Sequence, residues 1–279
     1  MHYFKTVLVF ASLFTAFSAC KNDVKTVGTP PFEFCVIEYD IPFSASKADE
    51  KTGLQGFYVN IGEAIAKELG REPKPSFVMS AFMNRPVREG LMAGRCVAQI
   101  GVPRSKGKWL IPRKVQLTNA FAELSYALVL PQNSPIQKAE DLKGKKVATQ
   151  TGSPAHLGLD MIGDVQFTFF QFAEPAMKAL ANGEVEAAMI WGPAAGYQNK
   201  YHYDNRFKVL PTNYSFPMAI ALTADNDSLA VKVNASLEKI RPTIQKLFLQ
   251  YGFPTGTVFV MPEIPHTKPA GEEDDDDDD

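Results

Sequence analysis

Short apolar runs and amphipathic helical patterns alternate twice along this chain, and that alternation restricts it to α/β architectures. The first set reads as strand Phe34–Tyr39, a helix from Phe57 to Leu69, strand Phe77–Met79, a helix with Pro86 near its start and Gly94 past its end, and strand Cys96–Gly101. In the first of these helices Phe57, Ile61, Ala64, Ile65 and Leu69 fall at helical spacing, Asn60, Glu63, Lys67 and Glu68 take the other face, and Gly70 ends it. The second set reads as strands Ser125–Leu130 and Lys145–Gln150, a helix with Ser153 as N-cap and Pro154 at its first position, strand Val165–Phe170, helix Glu174–Ala181 and strand Val185–Ile190. Two more strands are expected at Phe207–Leu210 and Pro217–Leu222. One apolar helical face then runs from Leu229 to Tyr251, with Pro242 kinking it or opening a second helix.

Extended crossovers near Thr118–Glu123 and Thr212–Pro217 join the two sets, so two lobes are expected, each a mixed sheet covered by helices, with a cleft between them that closes by hinge bending. The expected organisation is 33–120 for the first part of lobe 1, 121–215 for lobe 2 and 216–258 for a return to lobe 1. The stretch A-A-M-I-W-G-P-A-A-G-Y, Ala187 to Tyr197, runs a buried strand into a turn that starts a helix, and such strand ends are where ligands meet an α/β sheet.

The 279 residues are 45% apolar, enough for a substantial core. Residues 1–19 carry Lys5, an apolar run from Thr6 to Phe17 and small residues before Cys20, the pattern of an export signal, and 20–32 reads as a tether. Ser18-Ala19-Cys20 resembles a lipobox, which makes Cys20 the expected lipidation site and places the protein in the periplasm, anchored through that lipid or free after ordinary cleavage. Cys35 and Cys96 then form an even pair in an oxidising compartment and are expected to be disulfide-bonded. The net charge of −2 conceals a split: Glu272, Glu273 and Asp274–Asp279 supply eight negative charges, and the remainder from Cys20 to Gly271 carries +5. Residues 259–279 are expected to be a disordered acidic tail, solvated or attracting hard cations.

D-L-K-G-K-K-V-A-T-Q-T-G-S (Asp141–Ser153) and V-I-E-Y-D-I-P-F-S followed by Gly56-Phe57 resemble type II periplasmic solute-binding proteins, the two-lobed family that serves ABC importers. C-V-I-E-Y-D-I-P-F-S, G-R-C-V-A-Q-I-G-V-P, W-G-P-A-A-G-Y, F-P-M-A-I-A-L and Y-G-F-P resemble the branch of that family associated with quinoprotein methanol dehydrogenases, the MxaJ/XoxJ-type proteins. In amino-acid-binding relatives an Arg holds the ligand carboxylate with help from backbone N–H groups at a second-lobe helix start. The resemblance makes Arg104, Arg113, Gly152 and Ser153 the candidates, against the alternative that the arginines belong to one solvated basic loop. Trp191 stands where those relatives carry a carboxylate for the ligand ammonium, which disfavours ordinary α-amino-acid recognition. Tyr39, Asp40, Phe43 and Ser44 lie on the loop after the first strand and are expected to face the cleft.

The resemblance implies a non-enzymatic exported binding protein. The leading expectation is an accessory or maturation factor for a periplasmic PQQ-dependent alcohol dehydrogenase, with an importer's receptor for a small organic acid or related metabolite as the alternative. Its partner would accordingly be that dehydrogenase or an ABC permease. A dehydratase using Glu123 or Glu186 as base is the third reading. No catalytic residue, cofactor or metal site is expected, since His156 and His202 stand without an H-E-x-x-H or C-x-x-C beside them, and nothing suggests nucleic acid.

Overall fold

The computed structural model describes residues 29–38, 41–79, 86–104 and 114–264, and every element below belongs to the unit that begins at Pro31. Cys20, Arg113, Tyr39, Asp40, the leader and residues 265–279 lie outside the described residues. Strand β1 (Phe32–Ile37) is followed by helix α1 (Phe57–Glu68), β2 (Pro73–Val78), a wide helical turn at Val87–Leu91, β3 (Ala98–Pro103), β4 (Val115–Leu117) and β5 (Ala122–Pro131). After a tight turn at Ala139–Leu142 come β6 (Lys146–Thr149), α2 (Pro154–Ile162), β7 (Gln166–Phe169), α3 (Ala173–Ala181), β8 (Ala187–Trp191), α4 (Gly192–His202), β9 (Phe207–Thr223), α5 (Asp227–Lys239) and α6 (Arg241–Tyr251). Among the described residues no helix is long and apolar enough to cross a membrane.

The strands form one mixed sheet ordered β2-β1-β3-β9-β5-β8-β6-β7, with β4 beside β9. The βα units give parallel pairs, β1 with β2 and β3, and β6 with β7 and β8. Strands β5 and β9 run antiparallel to each other and carry the sheet from one half to the other. A first core packs α1, α5 and α6 on the sheet through Phe34, Phe57, Ile61, Ile220, Leu237 and Tyr251. In the other half one face packs Leu128, Leu159, Met189 and Tyr214, and the opposite face packs Val129, Met177, Ile190 and Ala195. Leu124 lies in the first core and Leu128 in the second, so β5 passes from one core to the other within a single strand.

Cys35, in the middle of β1, and Cys96, two residues before β3, are disulfide-bonded, with Cα atoms 5.7 Å apart. The turn at Val87–Leu91 lies over the bridge. A Cβ on Gly90 would stand 2.8 Å from the Cys35 Sγ, so glycine is what admits this close approach.

Two expectations from sequence are corrected. Phe207–Leu210 and Pro217–Leu222 are parts of one 17-residue strand, β9. Pro211 and Pro217 interrupt a sequence pattern but not this strand: Pro211 lies beside the shift in register with β5 between Ser125 and Ala127, and the carbonyls of Pro211 and Pro217 accept from Phe259 N–H and Arg104 N–H, both at 2.7 Å. The second correction concerns the expected tail from 259. Phe259 and Met261 are buried in the core beneath α2, Phe259 bridges Thr212, and the Asn213 side chain accepts from Met261 N–H at 2.8 Å and donates to its carbonyl at 3.0 Å. Residues 259–264 therefore strap the second half of the sheet. Pro242 opens a separate helix, α6, rather than kinking α5.

Candidate functional site

Strand β8 carries A-A-M-I-W with Ala187 and Met189 facing the α2-side core, and the strand period of two puts Trp191 on that same face at the carboxyl end. Trp191 is the register partner of Tyr126 on β5. Their rings meet edge to face with centroids 5.2 Å apart. Phe216 on β9 completes the group, 6.0 Å from Trp191 and 6.4 Å from Tyr126. All three are half-buried. Gly192 makes this possible, since a Cβ there would sit 2.4 Å from the Ser125 carbonyl oxygen and would push α4 and Trp191 away from β5. The three rings form a wall where β5 and β9 pass between the cores. Its polar groups are the indole N–H and the Tyr126 hydroxyl, which burial keeps protonated beyond its ordinary range. Such a wall stacks on flat, apolar or cationic groups and supplies no formal negative charge.

At the start of α2 the sequence chemistry is as expected: Ser153 caps the helix, its Oγ accepting from His156 N–H at 3.1 Å. The donors expected to hold an anion are, however, already engaged. The Ser153 hydroxyl donates to the Gln150 carbonyl at 2.7 Å and the Gly152 N–H donates to His156 Nδ1 at 3.2 Å. Gly152 and Ser153 thus form a closed cap rather than an open pair of donors, a local satisfaction that a T-G-S-P-x-H sequence permits because His156 reaches back one turn.

Arg104 stands exposed at the end of β3, its N–H donating to Pro217 and its guanidinium reaching the Thr118 carbonyl at 3.4 Å. Phe43 and Ser44 do not face a cleft. Phe43 is buried and stacked on Tyr58 with centroids 4.6 Å apart, and the fully buried Ser44 hydroxyl donates to the Ile37 carbonyl. The chain turns inward after β1, so these two side chains build the first core. Tyr197 is likewise a packing residue, buried, with its hydroxyl 3.1 Å from that of Thr52.

Both candidate bases are exposed. Glu186 is held ionised below the ordinary carboxylate range by the Lys145 ammonium, which donates to it at 3.0 Å, and by Lys146 N–H. Glu123 is exposed and accepts from the Ser215 hydroxyl. Among the described residues no three His, Cys, Asp or Glu side chains gather as a metal site. Sequence reasoning missed Tyr126 and Phe216; the available signal was a Ser-aromatic pair at each place, Ser125-Tyr126 just after the first crossover and Ser215-Phe216 within the second. A separate groove of about 390 Å³ lies between α6 and the start of β5, lined by Phe121, Ile244, Phe248 and Leu249, and it shares no residue with the Trp191 wall.

No family model matches the chain, and no curated protein sequence does either. Solved structures do. MxaJ from Methlophaga aminisulfidivorans MPT superposes with a TM-score of 0.62 at 19% identity, covering 80% of this chain and 99% of that one. The L-cystine solute receptor of Neisseria gonorrhoeae, in its unliganded open conformation, gives 0.64 at 18%, covering 81% and 94%. An ancestral arginine-binding protein bound to arginine gives 0.55 at 25%, covering 79% and 97%. The structural neighbours are type II periplasmic solute-binding proteins, and the fold of this chain is their two-lobed α/β fold.

Proposed function

We propose that the protein is an extracytoplasmic receptor that delivers a small solute to an ABC-type importer, closing on it beside Trp191. The observation that carries this reading is the Trp191–Tyr126–Phe216 wall, exposed in part at the place where two strands link the halves of a solute-binding fold. Hinge closure at such a place encloses a ligand and excludes water from it. Because an indole stands where a carboxylate serves amino-acid-binding relatives, the preferred solute is one without an obligatory α-ammonium, a small organic acid or a flat metabolite, with Arg104, whose N–H bonds the carbonyl of Pro217 next to Phe216, as the cation for an acid. The protein acts by binding and not by catalysis, in the periplasm, with Cys20 as its lipid attachment point. The lobes divide at 33–120, 121–215 and 216–258, with 259–264 returning to the second.

Isothermal titration of the purified protein against a panel of organic acids, amino acids and heterocycles tests it. Saturable one-site binding lost in Trp191→Ala supports the receptor; absence of any saturable ligand removes it.

A second reading draws on the resemblance of the W-G-P-A-A-G-Y and F-P-M-A-I-A-L segments to MxaJ/XoxJ-type proteins. In it the same wall grips a segment of a PQQ-dependent alcohol dehydrogenase and assists its maturation. Retention of such a dehydrogenase on immobilised protein, weakened by Trp191→Ala, with no solute bound, distinguishes it from the receptor.

A further inference from the structure

Strand β7 closes one edge of the sheet, with β6 on one side and, among the described residues, no strand on the other. Its ladder direction follows from two bonds: Gln166 N–H donates to Lys145 and Phe170 N–H to Thr149, both toward β6. Alternation then turns the N–H and C=O of Phe167 and Phe169 outward. Edges of this kind are normally blunted by Lys, Pro or inward charge. Here residues 165–173 read V-Q-F-T-F-F-Q-F-A, with neither a charge nor a proline.

The side chains continue the pattern. Phe169 is 48% and Phe172 66% exposed, while Leu157 and Met161, one turn apart on α2, are each 46% exposed. The His156 ring links strand and helix, edge-on to Phe167 at 5.0 Å and to Phe169 at 5.1 Å. The result is an apolar surface that runs from an unpaired strand edge onto the neighbouring helix.

We propose that this edge is a dimerisation surface whose partner is a second copy of the same chain, joined through antiparallel β7–β7 pairing about a two-fold axis beside Thr168. An identical strand supplies what the edge lacks. Phe167 of one copy lies opposite Phe169 of the other as a hydrogen-bonded pair, both outward N–H and C=O groups are satisfied twice over, and the Phe side chains stack in cross-strand pairs. In this register Asp164 falls opposite Phe172, so no like charges meet. A partner chosen by charge would find nothing to read along nine residues, whereas a self-complementary isologous contact needs none. The four exposed side chains offer roughly 400 Å² per copy, about half the standard interface, so the dimer is a weak one with Kd of order 10–100 μM. This surface is independent of the Trp191 wall and does not rest on the function proposed for it.

Sedimentation velocity of the full chain across a concentration series from about 1 to 300 μM tests the proposal. The expected result is a mass rising from one chain toward two, a rise abolished by Phe169→Lys at unchanged circular dichroism and melting temperature. Thr168→Cys adds a second arm: the two-fold register sets Thr168 opposite itself, so oxidation yields a covalent dimer well above the level given by the parent chain. A single-chain mass throughout, a dimer untouched by Phe169→Lys, or a Thr168→Cys chain that crosslinks no more than its parent overturns the proposal.

Discussion

The Tyr126 and Trp191 rings meet edge to face across the β5–β8 ladder, 5.2 Å between centroids, and so tie the strand that passes between the cores to the strand end that opens the candidate site. A ligand that displaces or covers the indole must change its emission. Trp191→Phe is expected to keep the fold and to abolish the ligand-dependent fluorescence change, leaving Trp109 as the sole indole. Trp191→Ala is expected to weaken binding at least ~10-fold, about 1.4 kcal/mol, measured by calorimetric titration. A full fluorescence response retained in Trp191→Phe would move the site elsewhere.

Cys35 and Cys96 close a loop of 61 residues in sequence separation. Chain entropy sets the contribution of such a crosslink at about 4 kcal/mol, commonly 2–4 in practice. Urea unfolding with and without reductant is expected to show a lower midpoint, corresponding to a loss of unfolding free energy of that size, with little change in the wild-type secondary structure below the transition. The double variant Cys35→Ser, Cys96→Ser should match the reduced protein.

Tyr251 is buried, accepts from Gly56 N–H at 3.0 Å and donates to the Asn60 side-chain Oδ1 at 2.7 Å, joining α6 to the start of α1. Tyr251→Phe leaves a buried amide N–H and a side-chain oxygen without this partner, which is expected to cost about 1–3 kcal/mol. The check is a thermal or urea transition of the variant beside wild type, with near-UV circular dichroism confirming native packing.

Tyr214 donates its hydroxyl to the Pro262 carbonyl, and burial pushes its pKa up to about 12 from an ordinary value of 10. In the unfolded chain the phenol ionises first. The unfolded state therefore binds fewer protons than the folded state between these values, and stability is fully present below pH 10 and lost as pH rises toward 12. Comparing wild type with Tyr214→Phe through pH 9–11.5 should show a shallower alkaline decline in the variant. Parallel declines would mean that this phenol ionises equally easily in both states.

How much of this was legible depended on whether the deciding interaction was local. The Phe57–Ile61–Ile65 stripe and the Ser153 cap with Pro154 behind it are set by residues within one turn, and sequence spacing located them, while at Pro242 it left a kink and a new helix as alternatives. The Cys35–Cys96 pairing followed from counting cysteines. β9 was divided because Pro211 and Pro217 read as strand breakers, whereas the groups that bond their carbonyls, Phe259 N–H and Arg104 N–H, lie 48 residues downstream of one proline and 113 upstream of the other. Phe43 and Ser44 were assigned to a cleft because a loop sequence does not say toward which face it turns. The Gly152 donor looked free until His156 folded back on it.

The strap at Phe259–Ile264 has a consequence for the order in which this molecule can be completed. Synthesis delivers β6, β7 and β8 before β9, yet the core beneath α2 lacks Phe259 and Met261 until well after β8 has emerged, and both halves of the sheet wait for β9. No N-terminal piece is therefore a finished folding unit. A piece that stops before β9 leaves Leu128, Leu159 and Met189 without Phe259 and Met261 against them, so this half of the sheet waits for residues made well after its own strands.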